Sequence, residues 1–143
     1  TGSVIKNTFG LFFENLSDNK KKKIFFTTDA QYFQPEQVKI FYDKADIIFQ
    51  DCECIGCNTK TKEMLYKSGV HANYGQLAGW PSVNSYKMDE KTKSKIWLSH
   101  YQDFVSLGTD DPKLNTGNLC DWMTLAQEDG FAGFIYVGQQ FEV

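Results

Sequence analysis

Arginine is absent from this 143-residue chain, and all 15 basic residues are lysine. Bidentate guanidinium clamps on phosphate or carboxylate are therefore excluded. With 18 acidic residues the net charge is -3, which argues against a protein that coats nucleic acid through a basic excess. There are only two histidines, His71 and His100, which caps the histidine-based metal chemistry the chain can perform alone. No run of about 18 apolar residues occurs, so no transmembrane helix is expected. The start, Thr1-Gly2-Ser3-Val4, has neither the basic nor the apolar region of a signal peptide, nor an initiator Met. Of four cysteines, Cys52, Cys54 and Cys57 lie within six residues, with Cys120 far off. That layout suits a disulfide framework poorly, and a reduced, cytoplasmic protein is expected.

What is present is core material. The chain is 41% hydrophobic and 15% aromatic, with 12 Phe and 7 Tyr, enough to fill one domain of this length. Residues 4–15 and 23–28 read as two strands of an antiparallel hairpin around Ser17-Asp18-Asn19 and a four-lysine run, Lys20 to Lys23. Pro35 and the spacing of Val38, Phe41 and Tyr42 predict a helix over 35–44. Asp46-Ile47-Ile48-Phe49 and Ile96-Trp97-Leu98 are unalternated apolar runs, as expected of buried parallel strands. A short helix is predicted near 62–66. Residues 71–88 carry helical spacing interrupted by Gly79 and Pro81, so a helix there either kinks or restarts. Residues 118–128 form an amphipathic helix capped by Gly130, and 131–143 a last strand pair. The order β-β-α-β-α-β-α-β predicts a single α/β domain, a mixed sheet flanked by helices.

Polar residues stand where α/β folds place their chemistry, at the carboxyl ends of strands. Asp29 follows Phe25-Phe26-Thr27-Thr28, Asp51 follows Phe49-Gln50, and His100 follows Leu98-Ser99. Carboxylate and imidazole converging at one rim suit Zn²⁺ or Mn²⁺; equally, a strand-end Asp can be a turn cap. The group Cys52-x-Cys54-x-x-Cys57 can be read as reduced thiols in a loop, as a structural zinc site completed by Cys120 or a histidine, or as an internal disulfide.

At these residues the chain resembles a known family. Phe25-Phe26-Thr27-Thr28-Asp29, a helix, and Ala45-Asp46-Ile47-Ile48-Phe49-Gln50-Asp51 look like the second half of the metallo-β-lactamase fold. Gly69-Val70-His71-Ala72-Asn73 is similar to the Gly-His-Ser/Ala-Thr segment of its ribonuclease Z and phosphodiesterase branch. Leu98-Ser99-His100-Tyr101 is similar to its Leu-Thr-His strand end, and Glu128-Asp129-Gly130-Phe131 to its closing hairpin. The resemblance implies one half of an αββα sandwich and a metal-dependent hydrolase, with Asp29 and His100 as metal ligands and His71 as the acid that protonates a leaving oxygen. It implies two zinc or manganese ions shared with residues absent from this chain. The family's His-x-His-x-Asp-His motif is missing, and Asp51 stands where Glu is usual.

Two functions follow as expectations. The first is a phosphodiesterase or nuclease half, acting on a phosphodiester or nucleotide and completed by an N-terminal half or a second copy. The second is a non-catalytic half-fold that dimerises or pairs with a partner through exposed apolar surface.

Overall fold

The computed structural model describes residues 10–17, 19, 21–28, 38–64, 71–83, 87–99, 101 and 118–142. The architecture is α/β, built on one mixed sheet. Strands β1 (Leu11–Glu14), β2 (Lys23–Phe26), β3 (Ile47–Asp51), β6 (Ile96–Ser99) and β7 (Gly133–Phe134) lie side by side in that order. Only the β1–β2 pair is antiparallel; β2–β3, β3–β6 and β6–β7 are parallel. A second, two-stranded ribbon pairs β4 (Cys57–Asn58) with β5 (Glu63–Met64).

Register divides the side chains between two faces. Phe25, Ile48, Gln50, Ile96, Leu98 and Phe134 share one face and all are buried. On the other, Phe26 stacks on Phe49 with centroids 4.6 Å apart, and Phe141 sits edge-on to Phe49 and Trp97, 5.0 Å from each. This face is aromatic yet only half-buried. The unalternated apolar strands read from the sequence are thus explained, although the two faces are covered unequally.

The hairpin, the two central parallel strands and the last helix stand as the sequence predicts, with narrower bounds. The helix expected over 35–44 is a π-helical turn, Val38–Tyr42; residues 35–37 lie outside the described residues. The Lys95 ammonium closes its end by donating to the carbonyls of Tyr42 and Ala45 at 2.6 and 2.9 Å. The Tyr42 hydroxyl hydrogen-bonds the buried Gln50 amide oxygen. Near 62–66 the described residues form strand β5 instead of a helix, because Glu63 and Met64 pair with β4.

Among the described residues of 71–88 the helix is α1 (Tyr74–Ala78), and Pro81–Val83 after it form a turn rather than a new helix. Asn73 and Gln76 form a capping box at the start of α1. Gly79, at φ 74°, turns into the left-handed region and ends it. Helix α2 (Glu90–Lys93) is capped by Asp89, whose carboxylate accepts from Thr92 N–H at 2.7 Å and is held below its ordinary range by that bond. Helix α3 (Leu119–Glu128) starts at an Asn118–Asp121 capping box. It unwinds through Asp129 into Gly130, at φ 94°. Beyond it only Gly133–Phe134 is strand; the expected second strand is turn and extended chain.

The core between the sheet and α3 is aromatic. The Tyr74 ring lies 4.9 Å from Trp122, 5.3 Å from Trp80 and 6.1 Å from Phe134. Its hydroxyl donates to Asp129 Oδ2 at 2.9 Å, and Trp80 Nε1 donates to the same oxygen at 3.1 Å. Lys62 Nζ reaches Asp129 Oδ1 at 2.7 Å, and Lys93 Nζ reaches the Asp129 carbonyl at 2.8 Å. The Asp129 carboxylate thus ties the β4–β5 ribbon and α1 to the end of α3, and its backbone carbonyl ties α2 there. Burial, with the nearby Asp129 charge, pushes the Tyr74 phenol far up, so it stays a donor.

Cys52, Cys54 and Cys57 are fully buried in the same core, and Cys120 is exposed. The Cys57 thiol donates to Asn73 Oδ1 at 3.1 Å. Burial pushes the Cys57 thiol from 9.0 up to about 12, and raises Cys54 as well, helped by its bond to Cys52.

Two outcomes follow. Asp129→Ala strands the Tyr74 hydroxyl, the Trp80 N–H and the Lys62 ammonium, and should cost about 2–4 kcal/mol in urea unfolding. Asp129→Asn, which keeps an acceptor, should cost less. In native protein at pH 8 a thiol reagent should modify Cys120 alone, and all four thiols once unfolded. A raised folded-state pKa contributes stability that is whole below pH 9 and lost as pH rises towards about 12. Urea midpoints should therefore fall across that window.

Candidate functional site

Three of the parallel strands end at one rim. Phe26 is level with Phe49, and Asp51 with Ser99. Hydrogen bonds past the strands hold the rim together. Thr27 N–H donates to the Phe49 carbonyl at 3.0 Å, Asp51 N–H to Thr27 Oγ1 at 2.8 Å, and Cys52 N–H to the Ser99 carbonyl at 2.9 Å. Thr28 follows at φ 58°. A β-branched residue pays on the order of 1–2 kcal/mol for that conformation, and such strain gathers at working sites.

Beyond Asp51 the chain makes a single parallel bridge between Glu53 and Asn73. Glu53 N–H donates to the Ala72 carbonyl at 2.7 Å, and Tyr74 N–H to the Glu53 carbonyl at 2.8 Å. The bridge fixes the backbone on both sides of Asn73, and so it places His71, two residues before it, at the rim. His71 Nδ1 and Asp51 Oδ2 lie 2.7 Å apart. The Asp51 side chain is 1% exposed and the His71 ring 21%. A carboxylate only accepts, so Nδ1 carries the proton and Nε2, across the ring, takes the acceptor role in the neutral imidazole. A buried acid orienting a half-open histidine is an arrangement that can hold an anion when the ring is charged, or exchange a proton through Nε2.

Of the residues singled out in the sequence, His71 is at the rim. Asp29 and His100 lie outside the described residues. Asp51 was visible as a strand-end acid but had no assigned partner. Its contact with His71 joins positions twenty apart, and only the Glu53–Asn73 bridge makes it. Glu53 is a further buried acid, and its Oε2 has no hydrogen-bond partner among the described residues.

Among the described residues no three His, Cys, Asp or Glu side chains stand together so as to hold a metal ion. Asp51 is engaged with His71, and the Cys57 thiol with Asn73. Cys52, Cys54 and Cys57 are all buried in the core. No helix among the described residues is long and apolar enough to cross a membrane.

Compared with known families, residues 3–118 match the model described as Anti-Pycsar protein Apyc1. No curated protein matches the chain. The matched family is not a metallo-β-lactamase family, and the assignment drawn from strand ends and the His71 segment is corrected. The expected phosphodiesterase or nuclease half, supplying one side of a dinuclear zinc site, falls with it, as does its half-fold alternative. The segments that suggested them are short, and acids after parallel strands recur across unrelated α/β proteins. Matched over most of its length, the chain belongs to the Anti-Pycsar protein Apyc1 family.

Proposed function

We propose that this chain counters a cyclic-nucleotide signalling defence by engaging the signalling nucleotide itself, at the rim where β3 ends. The family supports the first part, since its description names a protein directed against Pycsar, a defence that signals through a cyclic nucleotide. The observation that carries the second part is the 2.7 Å contact between His71 Nδ1 and Asp51 Oδ2. It sets an oriented imidazole, part-open to solvent, beside strand ends held by backbone hydrogen bonds. A cyclic nucleotide carries one phosphodiester charge, which a single protonated imidazole can meet without the guanidinium clamps this chain lacks.

His71 also carries the enzymatic side of the proposal. With its Nδ1 proton fixed by the buried carboxylate, the ring gives a proton through Nε2 to a bound ligand only as imidazolium, having taken that proton from solvent, and returns to the neutral form with Nε2 as acceptor. Asp51 then acts through His71 as a positioning residue.

Calorimetric titration of the full chain with cyclic mononucleotides should show saturable binding. His71→Ala should weaken it about tenfold or more, roughly 1.4 kcal/mol, with folding retained because His71 is not part of the core. Asp51→Asn should weaken it less, since an amide still holds the ring. Chromatography of nucleotide recovered from the denatured complex separates capture from turnover. Wild-type chain that binds no cyclic nucleotide, or His71→Ala that binds as well as wild type, would sink the proposal.

A further inference from the structure

The β1–β2 hairpin turns at the end of the sheet opposite the His71–Asp51 rim, because β2 starts at Lys23 and runs towards the rim through Phe26 and Thr27. Hydrogen bonds within the hairpin hold its tip. Asn15 N–H donates to the Lys22 carbonyl at 2.8 Å. The Asn15 side-chain oxygen accepts from Ser17 N–H at 3.0 Å and from the Ser17 hydroxyl at 2.6 Å. This turn sets Leu16 at its apex, 78% exposed, with Phe13 behind it 50% exposed. Scattered exposed apolar residues are ordinary. An aliphatic side chain fixed at the apex of a turn beside a lysine run is a more particular arrangement. Over residues 14–23 four lysines stand against two acids, in a chain whose net charge is -3. Among the described residues Lys21, Lys22 and Lys23 form no ion pair. Lys21 is exposed, and Lys22 Nζ reaches the uncharged Glu142 carbonyl at 3.4 Å.

We propose that this tip docks on an anionic lipid surface, with Leu16 and Phe13 entering the headgroup layer and the lysines meeting the charge of the lipid headgroups. Charge complementarity and the apolar apex together select this partner. The edge of a bilayer takes apolar side chains and basic ones side by side, and its anionic headgroups attract each added lysine. Lysine suits that place, since its long apolar stem lies along the acyl boundary while the ammonium stays with the headgroups. A nucleic acid would use the lysines but leave the Leu16 side chain in water, and it is better met by the arginine this chain lacks. Docked by the hairpin tip, the molecule turns the opposite end of the sheet, with His71 and Asp51, towards solution.

Sedimentation of the full chain with vesicles, made of phosphatidylcholine alone or with phosphatidylserine as one lipid in three, reads the partition. Phosphatidylserine should raise it about tenfold or more. Lys21→Glu with Lys22→Glu should return it to the level of the neutral vesicles. Leu16→Ser should lower it severalfold at every salt concentration, because the lysines remain. Both variants lie at an exposed tip and should keep the circular dichroism spectrum of the wild type. A second measurement reads insertion directly. Leu16→Cys in a Cys120→Ser background leaves one accessible thiol, since Cys52, Cys54 and Cys57 are buried. A nitrobenzoxadiazole label there should brighten on phosphatidylserine vesicles and stay unchanged with heparin. Wild-type chain that ignores phosphatidylserine, a Leu16→Ser variant that partitions like wild type, or a label equally silent with vesicles and with heparin would each overturn the proposal.

Discussion

The bridge between Glu53 and residues 72–74 is the constraint on which the rest of this molecule turns. Two backbone hydrogen bonds, of 2.7 and 2.8 Å, dock a distant segment against the continuation of the central strand. On one side of the bridge His71 meets Asp51 at the rim. On the other side Tyr74 enters the aromatic core and reaches Asp129 at the end of α3. Site and core are thus set by the same few residues. A change that loosens the core under α1 is transmitted to the histidine, and the rim has no scaffold of its own.

The hydrogen bonding of that core explains the capped ends around it. Asp129 gathers the Lys62 ammonium, the Tyr74 hydroxyl and the Trp80 N–H, while its own carbonyl receives Lys93. The partners come from three stretches of chain: Lys62 between β4 and β5, Tyr74 and Trp80 at α1, and Lys93 in α2. Buried donors of this kind need an acceptor, because an unmade hydrogen bond there costs more than a made one contributes. The short elements, α1 and the β4–β5 ribbon, have too little hydrogen bonding of their own to persist alone. They are ordered by this carboxylate and by aromatic packing.

How much of this was legible in the sequence depended on whether the signal was local. The central parallel strands declared themselves as apolar runs, and the Ser-Asp-Asn turn announced the hairpin. Helix α3 showed its apolar spacing and its Gly130 stop. The β4–β5 ribbon is not legible because two-residue strands have no period to read, and the residues near 62–66 read as a short helix instead. The strand after Phe134 was overcounted because apolar residues such as Phe141 pack on the sheet's face without pairing. In the site, His71 was noticed and its partner was not, since Asp51 looks like any strand-end acid until the bridge is known. The family likeness drawn from those short rim segments was corrected by the match over residues 3–118. Strand ends of parallel sheets share composition because they share geometry, not because they share a reaction.

The central claim is that the histidine held by Asp51 is where a cyclic nucleotide meets this protein. The chain has two histidines, so ring ¹⁵N resonances can be assigned with a single substitution and followed as nucleotide is added. The account predicts that the His71 Nε2 resonance moves and saturates with the nucleotide, and that the Nδ1 resonance reports a proton held by carboxylate before and after. Nucleotide that binds while both His71 resonances stay still would contradict it.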